Sequence, residues 1–447
     1  MTRIRQLLDQ LRHRLVVVPI AFVILSMALS QLMVSIDRSL GEDRTPDVLL
    51  TSADSGRAIL TAIAGGLITS ITLLLSMMLV TVQIASGQFS PRTVRNWLGD
   101  RSQQAAVGLV LGSAVYSLLV LRQVRSIEEG GAFVPHLSIM LAVALGVLSL
   151  VAVVRSVDHL TNRLRIGSIA SDIVADSLRV IDRRQKLWAA ENPAITPASG
   201  VVERAQTVDP PPDATPVTAR ESGWIQQVDQ DALFKSIPEG ATAYLQASIG
   251  SFVIVDTPLL WVWNAPLPDE ACDAMNAAIA IGDARTMQQG VGFGILQMTD
   301  IAMRALSPGV NDPNTANDMI MHLGAVLLKV WDTPVGATVQ SEDERSLIRH
   351  DLSHADYLQA AFDPIRRHGA GDPSVSGTLL RALVTLHTET IRRDLQGPLE
   401  PIEELAERIV ESVERSELCT FDKNAVRAIA DHVRRKSETG IEETNHA

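Results

Sequence analysis

The chain has almost no cysteine: Cys272 and Cys419 are the only two in 447 residues. Two thiols build neither a disulfide framework nor a thiolate zinc centre. Aromatic residues are scarce at 4%, and lysine is limited to Lys186, Lys235, Lys329, Lys423 and Lys436. A positive balance is missing as well. The formal charge is −12, which argues against a nucleic-acid binder with a basic body, so no nucleic-acid partner is expected. No GxSxG elbow, Walker loop or dinucleotide fingerprint occurs. Gly290-Val-Gly292-Phe-Gly294 is glycine-dense, but it opens a predicted helix without a preceding strand and lacks the third-glycine spacing. No cofactor and no catalytic residue are therefore assigned.

What is abundant is apolar: 46% of the residues, with a mean hydropathy of +0.16. That composition excludes a disordered, collagen-like or small secreted chain. The excess is concentrated in the first 155 positions, in four stretches free of Asp, Glu, Lys and Arg: Leu15–Ile36, Ala58–Pro91, Ser102–Leu121 and Gly130–Val154. Each supplies roughly 20 residues, enough to cross about 30 Å of hydrocarbon. The first is too long for a cleaved signal peptide. Pro19 lies near its start, and Gln31–Asp37 lacks a small-residue cleavage site.

Basic residues set the expected topology. Arg3, Arg5, Arg12 and Arg14 precede the first stretch, Arg92, Arg95 and Arg101 follow the second, and seven more lie between Arg155 and Lys186. The other side holds Arg38, Arg44, Arg57, Arg122 and Arg125, offset by acidic neighbours. Both termini are thus expected in the cytoplasm, with everything after Val154, where unpaired thiols are at home.

The second stretch is too long for a simple crossing and is unusually polar. Gly65, Thr69, Thr72, Ser76, Gln83 and Ser86 recur at three-, four- or seven-residue steps, which places them on one helix face. Two readings stand. Thr69, Thr72, Ser76 and Gln83 line a polar pathway, or the stripe packs on other helices, since Ser and Thr satisfy their own i−4 carbonyls. Ser90-Pro91 then reads as a helix start, and Arg92 and Arg95 beside Trp97 as either an interfacial helix or a cytoplasmic vestibule that attracts anions. Gly108 with Gly112, and Ala142 with Gly146, permit close helix approach within one subunit or between subunits. No charged residue lies deep in any stretch, which argues against an ion-motive carrier.

The rest divides by rhythm. Residues 156–190 read as an amphipathic helix continuing from the fourth span, 191–222 as a Pro-rich linker, 223–264 as a small β module and 265–447 as mainly helical. The β module loosely resembles the hammerhead of lipoyl-type domains. It lacks an exposed turn lysine, and Lys235 falls in a predicted helix, so a carrier role is rejected. A helix over 288–306 stops at Ser307-Pro308-Gly309, and Asn311 or Asp312 caps the next one, ahead of Pro313. Arg304, Asn311, Asp312 and Thr315 form a candidate anion or partner site, because free N–H groups point outward at a helix start. The competing reading is a capped turn between two helices. His350, His354 and Asp356 could share a helix face, but a strand over 346–350 destroys that spacing, and no metal site is assigned.

Three segments carry a resemblance. Thr81-Val-Gln-Ile-Ala-Ser-Gly-Gln-Phe-Ser-Pro-Arg92, Ala114-Val-Tyr-Ser-Leu-Leu-Val-Leu-Arg122 and Arg304-Ala-Leu-Ser-Pro-Gly-Val-Asn-Asp-Pro-Asn-Thr-Ala316 together resemble the domain-of-unknown-function 2254 family. The resemblance runs from the first span to about Arg393 and implies a multi-pass bacterial inner-membrane protein with a cytoplasmic C-terminal part. It implies no established activity and no catalytic residues.

The expected fold class is a membrane all-α unit of four transmembrane helices plus an α+β cytoplasmic domain, a small β module followed by helices. The expected function is an oligomeric channel or channel-like regulator in the lipid bilayer. Four helices enclose little water, so a conduit needs a homo-oligomer around a small ion or anion path. The alternatives are a membrane-anchored sensor or scaffold, and then a membrane-associated enzyme.

Overall fold

The computed structural model describes residues 16–40, 52–88, 101–125, 133–163, 166–191, 209–285, 290–333, 338–342, 344–349, 352–393, 395 and 398–431. The chain divides into two units, with the boundary between Ser168 and Ile169.

The first unit holds helices α1 (Val17–Leu40), α2 (Ala53–Gln88), α3 (Arg101–Leu121) and α4 (His136–Arg163). All four are long and apolar enough to cross a membrane. α3 is the central helix and packs on α1, α2 and α4. Leu67 and Leu74 of α2 meet Val110 and Ala114 of α3, while Leu60, Tyr116, Val120, Ile139 and Ala142 form a second cluster.

The small-residue pairs are used inside this unit. A Cβ on Gly108 would lie 2.8 Å from the Phe22 ring and 3.2 Å from Pro19 Cα, and one on Gly112 would lie 2.6 Å from Ser26 Oγ. The pair is therefore what lets α1 approach α3. Gly112→Val is expected to cost about 1–3 kcal/mol of stability through overpacking, read as a lowered melting temperature in detergent. An unchanged melting temperature would mean α1 is not seated there.

The second unit opens with α5 (Ile166–Glu191), which begins in the first, and then carries β1 (Thr215–Thr218), β2 (Gly223–Val228), α6 (Gln230–Ser236), β3 (Thr242–Leu245), β4 (Phe252–Val253), β5 (Pro258–Trp263), α7 (Asp269–Ala277) and β6 (Ile279–Gly282). Next come α8 (Val291–Ala305), α9 (Pro313–Trp331), β7 (Thr338–Glu342), β8 (Arg345–Arg349), α10 (His354–Gly369), α11 (Pro373–Arg392) and α12 (Leu399–Glu414). Residues 420–431 form α13.

Two sheets result, with strand orders β1-β5-β3-β8-β7 and β4-β2-β6. Every pairing is antiparallel except β3 with β8. Leu233, Leu259, Leu260, Met275 and Leu347 are fully buried in their shared core. The helical body is built around α9, whose Ala316, Met319, Ile320, Leu323, Leu327 and Val330 are buried at helical spacing.

The sheets change two expectations. Residues 215–218, read as linker, form an edge strand. Pro216 is tolerated there because β1 is an edge strand with β5 as its single neighbour, where a missing donor is accommodated. The β module is not confined to 223–264, since β1, β6, β7 and β8 complete it. The parallel β3–β8 pair closes over roughly a hundred residues, a pairing no local pattern announces. The helix read from 288 is described only from Val291.

Candidate functional site

At about 100° of helix rotation per residue, α2 has two opposed faces. Leu60, Leu67, Leu74, Met78 and Thr81 are buried. Thr69, Thr72, Ser76 and Gln83 lie on the opposite side, and all four are exposed in the single chain. A Cβ added at Gly65 would meet nothing within 4 Å. Among the described residues the stripe thus points away from the chain's own helices, and packing between them does not account for it. Thr69 Oγ1 donates to Gly65 O and Thr72 Oγ1 to Ile68 O, each at 3.0 Å. Those protons are committed to the backbone, so the oxygens turn acceptor lone pairs outward. Arg92 and Arg95 lie outside the described residues.

The inward polar seam belongs to α3 and α4. Gln103 Oε1 accepts from Ser156 Oγ at 2.6 Å, Ser149 Oγ donates to Ser113 Oγ at 3.0 Å, and Tyr116 Oη donates to Ser138 O. All these side chains are buried. Asp37 of α1 closes the seam. Its carboxylate accepts Leu137 N, Ser138 N and Ser138 Oγ, and so caps α4 from another helix. The available signal was Ser113 and Ser117 at i, i+4 beside Gly112 on the least hydrophobic span.

In the second unit Asp312, not Asn311, is the N-cap of α9. Its carboxylate accepts Thr315 N and Thr315 Oγ1, and its amide donates to Ala305 O at 2.8 Å. These bonds hold the Asp312 carboxyl below the ordinary carboxylate range. Its stabilising contribution is therefore present above the unfolded value and is lost as pH falls through the lowered folded value. Asn311 is exposed with φ +49°, and Arg304 is exposed in the last turn of α8. The four residues do share one turn. Its positive helix end already faces the chain's own carboxylate, which an incoming anion would have to oppose.

Asp356 accepts Ser353 N and Oγ in a capping box at the start of α10, and His354 Nε2 lies 3.2 Å from Thr333 O. β8 ends at Arg349, so the strand breaks the helical His350–His354 spacing; His350 itself lies outside the described residues. His387 is buried on α11 with Nε2 3.4 Å from Glu403 Oε1. Burial raises the Cys272 thiol, which makes it a poor nucleophile.

Comparison with known proteins bears on these features at the level of family. A sequence profile described as a predicted membrane protein family, DUF2254, matches residues 12–385. An uncharacterized protein of Mycobacterium bovis and two of Mycobacterium tuberculosis are each 31% identical over 343 residues, covering 73% of this chain and 63% of their own length. The chain thus spans less than two thirds of these relatives. No solved structure matches it. With four apolar helices followed by two small sheets and a helical body, the chain belongs to the DUF2254 family of predicted membrane proteins.

Proposed function

We propose that the protein is an oligomeric membrane conduit, or a channel-like regulator, in which each subunit contributes α2 to a shared polar path. The observation that carries this reading is the outward face of Thr69, Thr72, Ser76 and Gln83, diametrically opposite the face that α2 packs on its own unit. Hydroxyl and amide groups turned toward lipid are unfavourable, whereas the same groups around a hydrated axis are solvated. Both close-approach pairs are occupied within the subunit, so neither is free for subunit contact. The arginine distribution favours cytoplasmic termini in a bacterial inner membrane, with the second unit acting as vestibule or gate. The sensor reading rests on the Arg304 to Thr315 turn and is weaker, because Asp312 already answers that helix end.

The test is flux in vesicles reconstituted with full-length protein. Thr72→Leu with Ser76→Leu is expected to reduce flux while leaving the oligomer intact by light scattering. Unchanged flux, or a stable monomer, sinks the reading.

A further inference from the structure

Among the described residues of the second unit, exposed large apolar side chains are few and mostly scattered, yet three fall within four residues. Phe252 is 53% exposed, Ile254 58% and Val255 44%, while Val253 between them is buried. They form a ridge at the outer edge of the three-stranded sheet, because β4 has a neighbour only in β2. At the base of the ridge, Trp224 meets the Phe252 ring edge-on with centroids 5.2 Å apart, and the Arg285 guanidinium stacks over the Trp224 ring at 4.3 Å. The turn beyond it is fixed: Thr257 N and Oγ1 donate to Ile254 O, Val255 N donates to Ser222 Oγ, and Asp256 N donates to Ala219 O. Asp256 adopts φ +65° there. The exposure is therefore a property of an ordered element.

We propose that this ridge docks into the surface of the bilayer that holds the chain, with Phe252, Ile254 and Val255 entering the boundary between headgroups and acyl chains. The chemistry matches that layer: an apolar tip with an indole behind it, itself stacked under a guanidinium. Asp256 at the end of the ridge sets the depth, since a carboxylate stays with the headgroups. The occupant is a lipid surface because the four spans tether the second unit beside one permanently. A tethered weak contact is made at high effective concentration, so three partly exposed side chains suffice. The inference does not depend on ion conduction.

The test uses full-length protein with Cys272→Ser and Cys419→Ser, and an environment-sensitive fluorophore attached at Ile254→Cys. The labelled protein is reconstituted in phosphatidylethanolamine–phosphatidylglycerol vesicles, with and without lipid brominated near the headgroup end of the acyl chains. The expected result is a blue-shifted emission that brominated lipid quenches, while the same label at the exposed, isolated Phe421→Cys is not quenched. Water-like emission at position 254 would overturn the proposal. So would a blue shift without bromine quenching, which would mean that a second copy or another protein covers the ridge. Equal quenching at both positions would overturn it too, because lipid contact would then not be specific to the ridge. Phe252→Ser should lower the quenching at position 254, and if quenching persists undiminished the ridge is not the anchor.

Discussion

Asp363→Ala is expected to be among the most damaging single substitutions in the second unit, costing about 3–5 kcal/mol. Asp363 lies in α10 with its side chain only 12% exposed, and it faces two guanidinium groups. Arg366 reaches it at 2.8–2.9 Å through Nη2 and Nε, and Arg367 reaches it at 2.5 Å. Arg366 is itself 16% exposed and donates through Nη1 to Ser412 Oγ of α12. The carboxylate thus orients the arginine that ties α10 to α12. Alanine would leave Arg366 charged, largely buried and without its anion, and that penalty exceeds the loss of the hydrogen bonds themselves. Chemical denaturation of the full-length protein should show a large loss of stability. Removing both charges with Asp363→Ala and Arg366→Met should recover much of it. A single-mutant loss below about 1 kcal/mol would place the pair among ordinary surface ion pairs.

Asp37→Ala is the counterpart in the membrane unit, with an expected cost of about 2–4 kcal/mol. A helix start leaves N–H groups without intrahelical partners, and near a bilayer core water serves them poorly. Asp37 supplies both carboxylate oxygens to Leu137 N, Ser138 N and Ser138 Oγ, at 3.0, 3.0 and 2.5 Å. Ser138 O accepts Tyr116 Oη in turn, so Asp37 of α1 and Tyr116 of α3 both fasten the start of α4. Beside it, Arg38 donates to Gln123 Oε1 and lies over the Phe133 ring, and Arg57 donates to Val124 O. Melting of detergent-solubilised protein should place Asp37→Ala well below wild type. Asp37→Asn should fall between them, because an amide keeps one acceptor but not the charge. Ser138→Ala should cost less than Asp37→Ala, since it removes one bond of the three. Equal melting temperatures for Asp37→Ala and wild type would mean that solvent caps α4 instead.

Legibility from sequence followed the range of the interaction. Span positions were readable because hydrocarbon imposes a length and excludes charge residue by residue: the uncharged stretches at 15–36, 58–91, 102–121 and 130–154 correspond to α1–α4. Capping is local too, so Pro313 after Asp312 located the start of α9 to within a residue. Strands were readable where β-prone residues ran together, as in β2 and β5. They were not where the run was four residues long, as in β3 and β6, because such strands gain stability from partners far along the chain.

The periodicity of α2 established by itself that Thr69, Thr72, Ser76 and Gln83 share a face. It could not say which way that face turns, since a helix wheel carries no reference direction. Only the packing of Leu67 and Leu74 on α3 decided it, by turning the polar stripe outward. The same holds for Gly108 and Gly112. Their spacing announced a close helix approach, but the identity of the approaching helix, α1, follows from Phe22 and Ser26 lying against them. Asp37 gave no local sign of its role, because its partners lie a hundred residues away at the start of α4. Sequence thus determined the elements and their faces through short-range chemistry. Tertiary structure decided which faces meet, because pairing distant segments depends on the shape and volume of the whole unit.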